Sequence, residues 1–351
     1  MSEKVELTML LVGDVLVCRE DPSSAFQYVR DLFRGADFVF GNLEGAVADG
    51  GTRLAKASDA DWKKADARQI SALQSAGFSA VNVANNHMMD FGHEALLETL
   101  GHLDRIGVSH TGGGQDFATA YTPAIVERDG CRVALLGYTS VFTESWAAGP
   151  QCAGLAVMLA RTAYEPPSRF LEVPGTPPTI HTWVLPESKS QLSADIDAAR
   201  RKADLVICTF HWGVSQGVQK IADYQIELGH HAIDAGADLV FGHHPHRLHG
   251  IEVYQGRAIF YSLGNFSFAE HNPKKGHELE TIVMRCRIKD RQIKAVEFIP
   301  ALCDDQLDPR PLDLNKGRAI VELVKQRSAQ FNTRFAANGD SITIEDGVNR
   351  A

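Results

Sequence analysis

Short apolar runs rich in β-branched residues alternate along this chain with longer stretches of helical periodicity, and no other feature limits the fold more strongly. The runs predicted to be strands lie at residues 7–12, 38–40, 80–84, 132–137, 205–210, 239–241 and 259–262. The stretches predicted to be helices lie at residues 23–34, 66–76, 94–106, 193–203 and 222–235. Nearly continuous apolar strands separated by amphipathic helices predict βαβ units around a mainly parallel, buried sheet.

The C-terminal part of the chain has a different pattern. Short turns such as Gln255-Gly256 and Lys289-Asp290 separate four further runs, and this spacing predicts antiparallel strands at residues 251–253, 257–261, 282–288 and 293–300. A final helix is predicted at residues 315–327. Together the two patterns predict an α/β sandwich of two mixed sheets with helices outside, in a single domain over residues 1–351.

Residues 141–190 interrupt this alternation of predicted strands and helices, because they contain many of the chain's prolines and show little periodicity. A long loop without regular structure inside a compact domain is usually functional or flexible. We therefore expect this segment to be either a surface insertion or a lid over the functional site.

Polar residues that can bind a metal follow the apolar runs at the point where each predicted strand ends. They are Asp14, Asn42, Glu44, Asn85, Asn86, His87, His211, His243, His244, His246 and Asn265. In layered α/β folds the carboxyl ends of the strands meet at one edge of the sheet, and ligands bind there. The sequence therefore predicts that these side chains share one site.

The chemistry of these side chains suits a borderline divalent metal such as Zn, Mn or Fe, because imidazole, carboxylate and amide groups occur together. On an extended backbone His244 and His246, two positions apart, would present both rings to one ion. A structural thiolate site is disfavoured, because the six cysteines include no C-x-x-C pair. We expect these cysteines to be free thiols.

Each candidate ligand taken alone also has an ordinary structural explanation. Asp14 can cap a turn or helix, Glu44 can be a solvated loop carboxylate, and Asn85 and Asn86 are favoured in turns. Six such features at one strand edge are harder to explain in this way, which favours a metal site. The chain lacks the motifs of two other enzyme classes. It has neither the G-x-S-x-G turn of Ser-His-Asp hydrolases nor the G-x-x-x-x-G-K-[ST] loop of P-loop proteins.

The charge of the chain limits the classes of partner that it is expected to bind. It has 35 Lys and Arg against 44 Asp and Glu, a formal net charge of −9, whereas nucleic-acid and anionic-membrane binding require clustered Lys and Arg. We therefore expect neither partner, and instead a small-molecule or oligomeric anionic substrate drawn to a metal. The oligomeric state stays open, with a homo-oligomer as one outcome.

The first apolar run is interrupted by Asp14, and no other run approaches the ~20 apolar residues of a membrane span. On this ground we expect a cytoplasmic protein without a membrane segment.

An ordered set of motifs between about residues 5 and 268 gives the chain a specific resemblance. The motifs are Val12-Gly13-Asp14 with Arg19, Phe40-Gly41-Asn42-Leu43-Glu44-Gly45, Ala84-Asn85-Asn86-His87 with Asp90 and Gly92, His211-Trp212-Gly213, Gly242-His243-His244-Pro245-His246 and Ser262-Leu263-Gly264-Asn265-Phe266. In this order they resemble the CapA family of capsule and poly-γ-glutamate synthesis proteins, which is related to calcineurin-like metallophosphoesterases.

The resemblance implies a four-layer αββα fold and a site for one or two divalent ions. The metal ligands that it implies are Asp14, Glu44, Asn86, His211, His244 and His246, with Glu44 in the bridging position. It makes His87 the general acid, with Asn85 and Arg19 as further catalytic candidates. It also implies that Arg19 and Asn265 hold the substrate.

Four positions depart from the pattern that the resemblance implies. Leu16 stands where metallophosphoesterases have the histidine of a D-x-H motif, and Asn42 stands where they have Asp, so we expect a weak or absent second ion. Ser215 replaces a Glu that usually follows His-Trp-Gly, and His249 replaces a common Gln. We therefore expect a substrate different from those of the better-known members.

Three functions compete at this point. The first is a metal-dependent hydrolase, in which activated water attacks an ester, amide, lactone or phosphoester and His87 protonates the leaving group. The second is a non-catalytic or accessory protein of poly-γ-glutamate or capsule synthesis. The third is a redox or structural role for a lone iron, which ranks last because the Asn86-His87 pair suits acid catalysis better.

Overall fold

A computed structural model describes residues 6–54, 63–169, 172–215, 220–269 and 275–347 of the chain. In chain order its strands are β1 (Leu7–Val15), β2 (Phe38–Leu43), β3 (Ala46–Val47), β4 (Lys64–Ala65), β5 (Ala80–Asn82), β6 (Ser109–Thr111), β7 (Gly113–Gly114), β8 (Ala124–Arg128), β9 (Cys131–Thr139), β10 (Gly154–Leu155), β11 (Ala160–Glu165), β12 (Thr179–Val184), β13 (Leu205–His211), β14 (Leu239–His243), β15 (Ile251–Tyr254), β16 (Arg257–Phe260), β17 (Asn265–Ser267), β18 (Glu280–Lys289), β19 (Gln292–Cys303), β20 (Pro309–Pro311), β21 (Phe335–Asn338) and β22 (Ser341–Ile344). The α-helices are α1 (Arg30–Arg34), α2 (Ser71–Ala76), α3 (Gly92–Ile106), α4 (Phe117–Ala120), α5 (Pro186–Arg200), α6 (Asp223–Asp234) and α7 (Arg318–Ser328).

Two large sheets form the centre of the fold. The larger sheet has the order β21-β22-β19-β18-β1-β2-β5-β6, with β17 beside β1 and β20 beside β19. The smaller sheet has the order β15-β16-β14-β13-β9-β8. Strands β1 and β2 are parallel, as are β13 and β14, whereas β18 and β19 are antiparallel. The predicted change from parallel pairing to antiparallel C-terminal strands is confirmed.

The buried side chains show how the sheets and helices are layered. Leu11 of β1 and Ile207 of β13 share one apolar cluster between the two sheets. Leu10, on the opposite face of β1, packs in a second cluster with α2 and α3. Cys208, on the opposite face of β13, packs in a third cluster with α5 and α6. Because successive side chains of a strand point to opposite faces, the order of layers is helix, sheet, sheet, helix, and the predicted αββα sandwich is confirmed.

The prediction of one continuous helix over residues 23–34 is wrong. The chain forms a 3₁₀ turn at Pro22–Ser24 and then the short helix α1. Phe26, which lies between them, has a φ of 62° that a right-handed helix cannot accommodate. Its ring is buried against Phe33 and Phe78. Aromatic packing therefore prevails over the helical periodicity of this segment.

The other predicted helices are present with shifted ends. The helix at residues 66–76 is divided between a 3₁₀ turn, Ala67–Ile70, and α2, and α5 begins at Pro186 rather than at residue 193. Gly77 and Gly107 follow α2 and α3 with left-handed φ values of 94° and 71°, as expected for glycines that end a helix. Strands β21 and β22 were not predicted.

The described part of residues 141–190 is not a structureless loop, contrary to the prediction. Strands β11 and β12 form an antiparallel hairpin. The backbone N–H of Tyr224 donates to Thr182 Oγ1 at 3.0 Å, and that of Val184 donates to Glu227 Oε2 at 2.7 Å. These bonds attach the hairpin to the beginning of α6. Its role as a lid stays a prediction.

Within the described ranges, no helix is both long enough and apolar enough to cross a bilayer. All six cysteines lie in these ranges and are free thiols, with Cys18 and Cys152 exposed and the rest buried.

The packing of β1 against the turn before β17 depends on Gly13. A Cβ at this position would lie 1.9 Å from the carbonyl oxygen of Gly264, and the backbone on both sides is held by pairing. We expect Gly13→Ala to lower the free energy of unfolding by about 3 kcal/mol, measured by guanidinium denaturation.

Gly101→Ala is the matched control. Gly101 lies inside α3, and an added methyl group there meets nothing within 4 Å. This substitution should raise the free energy of unfolding by about 0.5–1 kcal/mol. A Gly13→Ala variant as stable as the wild type would contradict the close approach of the two backbones.

Candidate metal centre

The parallel strands carry polar side chains in two aligned rows at their carboxyl ends. In the larger sheet, strand pairing aligns Asn265, Asp14, Asn42 and Asn82. In the smaller sheet, it aligns Thr139, His211 and His243. Residues that are directly opposite on neighbouring strands point to the same face of a sheet. Each row is therefore presented on one face.

Both rows point into the space between the two sheets. Phe40 of β2 lies in the cluster between the sheets, so Asn42, two positions later, points the same way. Phe241 of β14 lies in the same cluster, and His243 follows it by two positions. Strand β1 reaches this face through a register shift just before Asp14. The two rows therefore meet where the apolar core between the sheets ends.

One group of ligand atoms converges from four separate segments. His211 Nε2 lies 2.7 Å from Asn86 Oδ1, 3.1 Å from His244 Nδ1 and 3.6 Å from Glu44 Oε1. Ligand atoms about 2.1 Å from one ion lie roughly 3.0 to 3.4 Å from each other in octahedral and tetrahedral shells. The spacing and the chemistry of this group therefore fit one divalent ion.

A second group shares Glu44 with the first. Glu44 Oε1 lies 3.6 Å from His246 Nε2, and Asp14 Oδ2 lies 3.7 Å from His246 Nδ1. The ligand atoms of Asp14, Glu44 and His246 all lie within 4.8 Å of one another, and all three residues are buried. One carboxylate thus stands where it can bridge two ions. Leu16, at the position of the missing histidine, is buried in the cluster with α2 and α3.

The backbone of the two histidines differs from the extended conformation that was predicted. Strand β14 ends at His243, and His244 and His246 have φ values of 95° and 54°. A positive φ in a residue other than glycine is strained by about 1–3 kcal/mol, and such strain is concentrated at functional sites. The two rings, with centroids 6.0 Å apart, belong to different ligand groups. The predicted extended backbone is therefore wrong, and the binding of both rings to a single ion stays a prediction.

Two residues of the centre were absent from the predicted ligand set. His243 Nδ1 lies 3.1 Å from Asp14 Oδ1, and Asn42 Nδ2 donates to the same oxygen at 2.9 Å. The sequence contains a signal for both, because each continues the inward alternation of its strand by one step. These contacts orient Asp14 from both sides.

His87 lies at the margin of the first group. Its Nε2 is 4.0 Å from Glu44 Oε1, and its Nδ1 donates to Asp90 Oδ2 at 2.8 Å. Asn85 Oδ1 accepts hydrogen bonds from the backbone N–H groups of His87 and Met88, at 3.1 and 2.9 Å. Asn85 is fully buried and holds the turn that carries His87. A direct catalytic role for Asn85 stays a prediction.

The two residues predicted to hold substrate are placed differently. Asn265 Oδ1 lies 2.8 Å from His246 Nδ1, so it orients a candidate metal ligand. Arg19 Nη1 lies 2.9 Å from Asp308 Oδ1, and Arg19 Nη2 donates to the carbonyl of Gln306. The structure therefore places the Arg19 guanidinium in an ion pair rather than against the ligand groups. Substrate binding by either residue stays a prediction.

Burial and neighbouring charges set the protonation of the ligands. Burial alone would raise the pKa of the Asp14 carboxyl, but the hydrogen bond and charge of His243, with His211 and His246, hold that pKa well below its usual range. Burial lowers the pKa of His246 to about 4 and that of His211 well below its ordinary value. The forms that bind metals, ionised carboxylate and neutral imidazole, are therefore favoured at neutral pH.

The fold and the two ligand groups define an α/β protein with a candidate metal centre between its sheets. The chain belongs to the family described as bacterial capsule synthesis protein PGA_cap, which it matches over residues 8–270. The predicted resemblance to CapA proteins is confirmed.

Individual relatives carry related names. The chain is 28% identical over 337 residues to the capsule biosynthesis protein CapA of Bacillus anthracis, covering 93% of this chain and 75% of that protein. It is 31% identical over 274 residues to the PGA biosynthesis protein CapA of Bacillus subtilis (strain 168), covering 75% of this chain and 63% of that protein. It is also 31% identical over 187 residues to a probable polyglutamine synthesis accessory protein of Mycobacterium tuberculosis, covering 52% and 43%.

Among solved structures, the chain is similar to the calcineurin-like phosphoesterase YfkN from Bacillus subtilis. The TM-score is 0.42 at 14% sequence identity, and the match covers 93% of this chain and 99% of that chain.

The two ligand groups predict two metal affinities, because the first has four candidate ligands and the second has three. We expect His244→Ala to abolish the tighter site, His246→Ala to abolish only the weaker one, and Glu44→Gln to weaken both. Mn²⁺ titration with elemental analysis after dialysis measures this. His181→Ala, on the exposed hairpin, is the control and should bind metal normally. A Glu44→Gln variant with both affinities unchanged would exclude the bridging arrangement.

Proposed function

We propose that this chain is a metal-dependent hydrolase in which activated water attacks an ester, amide, lactone or phosphoester. One observation carries the proposal. An imidazole oriented by a carboxylate, His87 with Asp90, lies 4.0 Å from Glu44, the carboxylate common to both ligand groups. This arrangement provides an acid beside a centre that can activate water.

Glu44, Asn86, His211 and His244 would hold one divalent ion, and Asp14, Glu44 and His246 a second. Zn, Mn or Fe would each supply Lewis-acid activation of water and of the scissile group. The protein's own part is to keep these ligands buried, deprotonated and oriented. Asn42, His243 and Asn265 orient the ligands. Hydrogen bonds from neighbouring residues to metal ligands are a general determinant of metal affinity.

His87 is the group that transfers a proton in this proposal. Because Nδ1 donates to Asp90 Oδ2, the ring is fixed in the orientation that directs Nε2 toward Glu44. A proton on Nε2 can then pass to the leaving group beside the metals. Asn85 accepts the backbone N–H of His87, and the ring itself is buried.

The charge of the centre supports an anionic substrate. Asp14 and Glu44 contribute two negative charges, so a pair of divalent ions would make the site positive in a chain whose formal net charge is −9. The relatives named for capsule and PGA biosynthesis point to anionic polymers, or fragments of them, as the substrate class. A cytoplasmic location and a homo-oligomeric state stay predictions.

A second candidate function is an accessory role in polyglutamate synthesis without catalysis. The name of the Mycobacterium tuberculosis relative favours it. In that case the metals would bind carboxylates of the polymer rather than activate water, and binding would occur without turnover.

The hydrolase proposal is tested by His87→Gln on the metal-loaded protein, with a panel of phosphodiester, phosphomonoester, ester and amide substrates. We expect kcat to fall about 10²- to 10⁴-fold, the usual contribution of a general acid, with unchanged metal content. The control is His93→Gln, an exposed histidine of α3, which should keep full activity.

Undiminished turnover in His87→Gln would refute the role of His87. A metal-loaded wild type that cleaves no member of the panel, yet binds poly-γ-glutamate in calorimetry, would favour the accessory function instead.

A further inference from the structure

We propose that two copies of this chain associate through the outer edge of strand β11, which pairs antiparallel with the same strand of the other copy about Ala163. The partner is a second copy of this chain, and the interface is a continuous sheet with the order β12-β11-β11-β12. This inference concerns the hairpin of β11 and β12 and does not depend on the proposed hydrolase activity.

Strand β11 has one backbone edge that is open to a partner. Among the residues that the structure describes, β12 is the only strand that pairs with it. Apart from this pairing, no backbone–backbone hydrogen bond within the described ranges involves residues 161–165. The N–H and C=O groups on the other edge of β11 therefore form a template to which a further strand can add.

The body of the molecule holds this edge in place. Leu159, which precedes β11, donates its backbone N–H to Ser188 Oγ at 2.8 Å and accepts the N–H of Leu185 at 2.9 Å. Strand β12 is attached to the beginning of α6 through Thr182 and Val184. Because the edge is ordered before a partner arrives, association loses less conformational entropy than it would with a flexible loop.

The order of side chains along β11 is self-complementary about Ala163. When two copies pair antiparallel at this residue, Arg161 of each copy lies directly opposite Glu165 of the other, and Thr162 lies opposite Tyr164. Opposite charges and aromatic–β-branched pairs both stabilise cross-strand contacts. Parallel pairing in register would instead set each charge against its own kind, so the charges favour the antiparallel arrangement.

Both charges of this cross-strand pair are accessible to a second copy. Arg161 is exposed, and the carboxylates of the described hairpin pair with other cations, Glu165 with His181 and Glu172 with Arg169. Within one strand, Arg161 and Glu165 lie roughly 13 Å apart at about 3.3 Å per residue. The Glu165 side chain is 68% exposed, and a carboxylate can accept a second donor, because its two oxygens offer about four lone-pair sites.

Apolar side chains beside this edge also favour association. Tyr164 is 67% exposed, and Ile180, directly opposite on β12, is 50% exposed. Charged groups often protect an edge strand from pairing, but adjoining apolar groups in water mark a surface that interacts. In the paired arrangement, Thr162 of the second copy would lie beside the Tyr164 ring and cover part of it.

Sedimentation equilibrium of the full chain tests the proposal. We expect a reversible dimer with a dissociation constant of about 1–100 μM that rises with salt, because the contact is small and contains two ion pairs. Arg161→Glu and Glu165→Arg each set like charges opposite each other twice, so each should raise the dissociation constant roughly tenfold. The double variant exchanges the two charges and should restore the dimer.

The matched control is Arg318→Glu, which makes the same change of charge on an exposed residue of α7 and should leave the dimer unchanged. A wild type that remains monomeric at about 1 mM would overturn the proposal. So would a dimer that neither single variant weakens, or one that the double variant does not restore, since either result would place the contact elsewhere.

A disulfide between the copies tests the register itself. Residues directly opposite on antiparallel strands have Cα atoms about 4.5–5.5 Å apart, within the range that a disulfide spans. In a background with the exposed thiols removed by Cys18→Ser and Cys152→Ser, Ala163→Cys should therefore form a covalent dimer with oxidised glutathione. Thr179→Cys, on the other strand of the hairpin, should not. Equal yields from the two variants would contradict pairing about residue 163.

Discussion

Two fully buried carboxylates, Asp14 and Glu44, lie among four buried imidazoles between the two sheets, and the cost of burying the negative charge is the constraint on which the centre depends. Removing a carboxylate from water costs several kcal/mol even after the protein relaxes. At Asp14 the hydrogen bond and charge of His243 offset part of this cost, whereas burial lowers the pKa of His246 to about 4. Divalent cations would offset the cost directly, which would account for the grouping of acidic and neutral metal ligands at a buried position.

Other features of the fold position the ligands of this centre. The inward-facing residues of β2 and β14 change from apolar to polar near the end of each strand, from Phe40 to Asn42 and from Phe241 to His243. Gly13 lets β1 approach the turn that carries Asn265. His244 and His246 adopt strained backbone conformations, and the surrounding packing, with any bound cation, must offset that strain. Strand ends, a close glycine contact and two strained histidines thus contribute to one centre.

Much of this could be predicted from the sequence, and particular residues show why the remainder could not. Asp14, Glu44, Asn86 and His211 were predicted to meet because parallel strands present their carboxyl ends at one edge. The backbone conformation of the turn after His243 was predicted wrongly, because loop dihedral angles depend on contacts that periodicity does not encode. The ion pair of Arg19 with Asp308 joins positions 289 residues apart, so no local pattern reveals it.

The central claim is that donors from both sheets converge on cations that share Glu44. Anomalous diffraction at the manganese edge, from crystals of the Mn²⁺-loaded protein, measures this directly. The account predicts two peaks on either side of the Glu44 carboxylate, one against Asn86, His211 and His244 and the other against Asp14 and His246. Manganese bound only elsewhere on the molecule, with no peak between the sheets, would contradict it.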